Sequence, residues 1–268
     1  MVEIRKLCRL GLLPLASAMI YSSAVSAGDA ASLPADPHDL SGVWMNDNTL
    51  DETLKRSGLK RLDPKSATPA PPAARSTDVL TPAYREKYDA LADERARYAE
   101  GVQTCHWPGM PAILSYPYPF EILHTPGRIT MIYEAESQVR RIYLDRDEHL
   151  PFDELDPSYN GDSIGHWEGN TLVIDTIGFN THATVWGDLP HSEDMRIVER
   201  MAYVDEDTVH SEVTITDPQA FKQPITRTLV YSKRPDWRIR EYSCMENNRD
   251  APDAQGNRQG GVVEQAAP

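Results

Sequence analysis

The sequence predicts a mainly β protein, an antiparallel meander that closes into a barrel, with one amphipathic helix on its N-terminal side. The first observation is the stretch 161–178, GDSIGHWEGNTLVIDTIG, in which two strand-like runs meet at Glu168-Gly169-Asn170. Apolar and β-branched residues on both sides of a Gly/Asn reversal read as a tight hairpin, because the turn needs positive φ. The second is that similar runs recur on both sides of it, from residue 120 to residue 244, with turn residues between them. The third is that a single stretch, following Thr81-Pro82, has the three-to-four spacing of a helix. Closure into a barrel follows because it removes exposed strand edges.

Residues 1–27 read as a secretory signal: Arg5, Lys6 and Arg9 precede an apolar run, and Val25-Ser26-Ala27 offers a small-residue cleavage site. The run is short and broken by Pro14, so no membrane span is expected. Losing this leader, with three basic residues and Glu3, takes the formal charge from −14 to −16. So acidic a chain argues against nucleic acid and anionic lipid as partners. Export also permits oxidation, and the mature chain keeps only Cys105 and Cys244, which are expected to form one disulfide.

The remaining residues divide into an N-terminal part at 28–119, a β-barrel core at 120–250 and a polar tail at 251–268. The N-terminal part opens with Asp39-Leu-Ser-Gly-Val-Trp44, a strand whose Gly-x-Trp resembles the opening motif of lipocalin-like (calycin) barrels. That resemblance implies a Trp plugging the closed end. Residues 64–80, rich in Pro, Ala and Ser, read as a linker or a surface wrap outside the core. Thr81 then caps a helix with Pro82 at its first position; its stripe is Tyr84, Tyr88, Leu91, Arg95 and Tyr98, and it stops at Gly101. Prolines at 108, 111, 117 and 119 exclude regular structure before the core, so residues 105–119 should form an ordered loop over one end of the sheet.

Strands are expected at 120–125, 128–134 and 138–144, then the central hairpin, then 195–204, 208–216, 226–233 and 237–244. The acidic connection at 145–156 lacks the register of a calcium loop and reads as a solvated charge run. The loop at 179–194, carrying His182, Trp186, His191 and Glu193, should form the mouth of the barrel together with the loop pinned by Cys105.

Taken together, PFEILHTPGRITMIYE, QVRRIYLD, SIGHWEGNTLVIDTIGFN, PHSEDMRIVER and DWRIREYSCMENNRD resemble a secreted bacterial family of unknown function with the pattern SIGxWEGxTLVxDTxGF. The resemblance spans residues 105–250. That pattern more often has Arg at position 166 and Gln at position 124, so His166 and His124 are particular to this chain.

Two constellations are candidates for chemistry. Glu199 alternates with Ile197, Met201 and Tyr203, and Glu241 with Trp237 and Ile239, which places both carboxylates on the expected interior face. A carboxylate there must be paired, by Arg140, Arg141 or Arg200, or carry a raised pKa. The second set is His124, His166, His182 and His191 with Asp162, Asp175 and Glu193. Imidazoles beside carboxylates exchange protons near neutral pH, which suits isomerisation, elimination or cyclisation, although each histidine taken singly also reads as a structural residue. The expected catalytic residues are therefore His124, His166, His191, Glu193, Glu199 and Glu241.

The histidine spacings form no compact metal motif, and His191-Ser192-Glu193 lacks the Gly-x-Ser-x-Gly elbow of a serine nucleophile. No metal is expected. Trp107, Tyr116, Tyr118, Trp167, Trp186 and Tyr203, with Arg141 and His182, are the expected lining of a pocket. With no phosphate loop or dinucleotide fingerprint, no cofactor is expected either. The sequence points to a periplasmic or secreted barrel that acts on a small hydrophobic molecule by cofactor-free acid–base catalysis; the alternative is a non-catalytic carrier or sensor. A filled scaffold without a pocket is the third possibility.

Overall fold

The computed structural model describes residues 32–47, 77–92, 107–151, 153–186 and 188–244. The expected leader and tail, most of the Pro-rich segment and Cys105 lie outside them, as do Arg95, Tyr98 and Gly101 of the expected helix. All the described residues fall in one compact unit, Ala31–Pro268.

Among the described residues, nine strands close into a barrel in sequence order. They are β1 (Gly42–Asn46), β2 (Phe120–Thr125), β3 (Arg128–Tyr133), β4 (Val139–Tyr143), β5 (Asp162–Glu168), β6 (Thr171–Ile177), β7 (Arg196–Asp205), β8 (Thr208–Thr216) and β9 (Ile225–Lys233). One helix, α1 (Pro82–Ala90), precedes β2 and buries Tyr84. Thr81 sits at its N-cap, but its hydroxyl donates to the Gln219 carbonyl, 2.7 Å away, and not to the helix. That bond ties α1 to the loop after β8. The β5–β6 hairpin turns through Gly169 at φ +58°, between the paired Glu168 and Thr171. A Cβ at Gly169 would meet nothing, so the backbone angle alone calls for glycine there.

Two features depart from the expected meander. First, residues 237–244 are not a strand; only Tyr242 bridges to Ala135, and Glu241 is exposed. The barrel closes instead through β1, which pairs with β2 on one side and β9 on the other, Trp44 standing beside both Phe120 and Lys233. The core thus begins at Gly42 and not at residue 120. Leu80, inside the expected linker, is also buried and bridges to Phe221. Second, β4 and β5 run parallel, through only Ile142↔Ser163 and Tyr143↔Ile164. A parallel pair needs a long crossover because the chain must return to the starting end. Residues 144–161 are that crossover.

Alternate residues of β7 and β8 are buried and face the interior. Arg140, Ile142, Ile174, Ile197, Glu199, Ser211, Val213, Ile215 and Tyr231 are each at most 1% exposed. Both ends are closed. At one end a strap at 36–41 crosses the opening: Leu40 is buried, Trp44 Nε1 donates to the Leu40 carbonyl at 2.9 Å, and the Tyr203 hydroxyl donates to the Asp39 carbonyl at 2.8 Å. Trp167 lies under His38, their rings stacked at 4.2 Å. At the other end Met110, Ile113, Leu114, Phe179, Val185, Leu189 and Phe221 are all buried. The Asn46 amide and the Tyr231 hydroxyl both donate to the Leu114 carbonyl, anchoring this cap to the barrel. The loops expected to form a mouth therefore form a plug.

Candidate functional site

Inside the barrel the charge that must be satisfied is Glu199. Arg140, in the inward phase of β4, meets it with Nη2 at 2.5 Å from Oε2, and both side chains are 1% exposed. Arg140 also donates to Ser163 Oγ at 3.2 Å and to Thr176 Oγ1 at 2.9 Å. Burial works against the guanidinium charge, but the Glu199 carboxylate beside it prevails and raises the Arg140 pKa. Tyr133 and Tyr231 close the same region, and burial raises both phenols above their ordinary range. This is a buried ion pair held in hydrogen bonds, closed to substrate. Of the three arginines expected as partners, Arg141 and Arg200 point outward, and Arg200 binds Glu168 at 2.8 Å.

The concave space lies outside the barrel, where the short parallel seam lets the crossover stand away from β4. Val139, Arg141 and Tyr143, the outward phase of β4, line a cleft of about 470 Å³ together with Trp107 and the crossover residues Leu150, Glu154, Leu155, Asp156, Tyr159 and Asn160. That volume falls within the range of roughly 300–1,000 Å³ common for small-molecule sites. Trp107 is 50% exposed and its ring lies 6.0 Å from that of Tyr159, which is in turn 6.3 Å from His182. Three expected binding residues, Trp107, Arg141 and His182, thus gather around Tyr159.

The crossover is clamped to the barrel by charge. Asp162, on β5, accepts from Arg146 at 2.6 Å and lies 2.9 Å from His149 Nδ1. Burial opposes the Asp162 charge, and those two hydrogen bonds overcome it, holding the carboxyl below its usual range. His149 Nε2 points at Asp175 of β6, 3.6 Å away, and Asp175 is gripped through both oxygens by Arg196. Gly178, at φ +75°, leaves the space that Leu155 occupies, since a Cβ there would overlap it. The connection read as a solvated charge run does keep most of its charges exposed, while Arg146, His149 and Leu155 tie it to the barrel.

The other expected catalytic and binding residues lie away from this cleft. His124 lies at the strapped end, its Nδ1 3.1 Å from the His38 carbonyl, beside Trp167 and Tyr203, which help close that end. His166 is exposed and 3.3 Å from Glu168. Tyr116 and Tyr118 pack on the far side with Tyr242, and Trp186 donates to the Pro111 carbonyl at 3.2 Å. Glu193 is exposed.

His191 is buried in the plug, with Nδ1 2.8 Å from the Ser192 carbonyl. The Ser192 hydroxyl turns away to Asp217 at 2.8 Å, and that buried carboxylate also accepts backbone N–H bonds from Ser192, Gln219 and Ala220. No serine–histidine dyad forms. Burial lowers the His191 pKa, against weaker opposing effects from the Ser192 carbonyl and Asp217.

The folded state accordingly binds fewer protons at this group than the unfolded state. Its contribution to stability is complete above the unfolded value of about 6.5 and is lost as pH falls through that value towards the lower folded one. In urea melts, the stability advantage of wild type over His191→Gln should shrink between pH 7.5 and 5.5. An advantage that holds constant over that range would contradict the assignment.

No family model matches the sequence, and none of the curated proteins does. The resemblance to a secreted family therefore stands on the sequence segments quoted above alone. Among solved structures, the chain is similar to a secretory abundant heat soluble protein from Ramazzottius varieornatus, with 9% identity, 73% of this chain and 95% of that chain covered, and a TM-score of 0.31. The barrel described above rests on its own strand pairing and not on this likeness. No helix among the described residues is long and apolar enough to cross a membrane.

Proposed function

We propose that this protein is an exported β-barrel that binds a small molecule with an apolar or aromatic group in the cleft along the β4–β5 seam and returns it unchanged, as a carrier or sensor. The observation that carries this reading is the contrast between a filled, doubly capped interior and an open outer cleft lined by Trp107, Tyr143, Tyr159 and Arg141. Acid–base catalysis needs a base within hydrogen-bond reach of the substrate. Of the expected acids and bases only Asp162 lines the cleft, and its charge is held by Arg146 and His149; the others stand at the ends of the barrel, on its surface or inside it. The test is native mass spectrometry of the protein from its own periplasm or culture medium, followed by incubation of the released molecule with purified protein. Recovery of that molecule unchanged, with binding weakened about tenfold in Trp107→Ala, supports the carrier. Its conversion to a product would overturn the carrier and restore the enzyme.

The export reading has a test of its own. The Cys105–Cys244 disulfide would tie the loop before β2 to the segment after β9, where the Cys244 N–H donates to Glu136 at 2.9 Å. Titration of the unfolded, unreduced mature protein should find no free thiol. Two free thiols would sink the pairing.

A further inference from the structure

The cleft assigned above to ligand binding carries a charge pattern that narrows the ligand further, and the narrowing rests on that assignment. Arg141 projects from the outward face of β4, while Glu154 and Asp156 belong to the crossover, and all three line the cleft. Among the described residues none of the three is in an ion pair. Elsewhere on the same wall opposite charges have closed on one another: Arg146 on Asp162, His149 on Asp162, and Arg196 on Asp175. All three share the cleft with Trp107, Tyr143 and Leu155.

We propose that the ligand is a zwitterion of the amino-acid type, with its carboxylate on Arg141, its ammonium towards Glu154 and Asp156, and an apolar or aromatic side chain against Trp107 and Tyr143. A guanidinium takes a carboxylate through paired hydrogen bonds, and an ammonium gains from both carboxylates and aromatic faces. A simple anion would face the two acids and a simple cation would face Arg141. A molecule carrying both charges satisfies both elements, and the unmatched charge works against the others.

The experiment is calorimetric titration of the full mature chain with four probes: L-phenylalanine, its N-acetyl derivative, its amide, and indole. L-phenylalanine should bind at least tenfold more tightly than either singly charged derivative. Arg141→Gln should erase the preference over the amide, which lacks the carboxylate, and keep the preference over the N-acetyl form. Glu154→Gln combined with Asp156→Asn should do the reverse. Either derivative binding as tightly as L-phenylalanine, or preferences unmoved by these variants, would overturn the zwitterion. If indole then still binds and Trp107→Ala weakens it, the cleft remains a ligand site of another class. If none of the four probes binds, both the zwitterion and the cleft reading fail.

Discussion

Replacing Glu199 by alanine should lower the unfolding free energy by about 3–5 kcal/mol, because it strands the Arg140 guanidinium in the buried interior. Both partners are 1% exposed and meet at 2.5 Å, so neither has solvent to fall back on. The remaining bonds of Arg140, to Ser163 and Thr176, are to neutral hydroxyls and do not compensate a whole charge. The double variant Arg140→Met with Glu199→Leu should recover most of the loss, since replacing a buried pair by apolar groups of similar volume is often neutral or stabilising. Urea unfolding of the two singles and the double measures this directly. A Glu199→Ala loss below about 1 kcal/mol, or a double variant as poor as the sum of its singles, would mean that the pair is more hydrated than the structure has it. The same geometry separates Glu199 from proton-transfer chemistry, because its charge is engaged by Arg140 and, among the described residues, no histidine is in contact with it.

How much of this was legible follows from what each feature leaves in a sequence. Glu199 was readable as interior because its neighbours at i±2 are apolar, and that periodicity is a property of one strand alone. Glu241 passes the same test beside Trp237 and Ile239, yet it is exposed. The test presumes a strand, and residues 237–244 are not one. Which distant segment closes a barrel is decided by backbone hydrogen bonds, which carry no side-chain signature, so nothing local ranked β1 above residues 237–244 as the neighbour of β9. The cleft was hidden for a related reason, since Tyr143, Glu154, Asp156 and Tyr159 meet only because β4 and β5 are parallel. One signal was available: the 144–161 connection is far longer than the hairpin turns around it, and loops of that length are uncommon unless they cross over or carry function. His149 and Arg146 gave no such signal, because their aspartate partners lie on two other strands.

Trp44→Ala should destabilise the barrel by about 3–5 kcal/mol, the usual cost of deleting a large buried aromatic side chain. The residue joins three parts of the fold. Its backbone stands between Phe120 of β2 and Lys233 of β9, at the seam where the first and last strands meet. Its ring lies 5.8 Å from that of Tyr203, with the Lys233 ammonium 5.5 Å above it. Its indole N–H holds the strap through the Leu40 carbonyl. Trp44→Phe keeps most of the volume and drops only the hydrogen bond, so it should cost nearer 1 kcal/mol, while amide exchange in the strap at 38–41 quickens. The pair of variants separates packing from tethering: alanine should lower the urea midpoint of the whole barrel, and phenylalanine should mainly loosen the strap. If Trp44→Ala melts like wild type, the barrel does not close through β1, and residues 237–244 must be reconsidered as the closing strand.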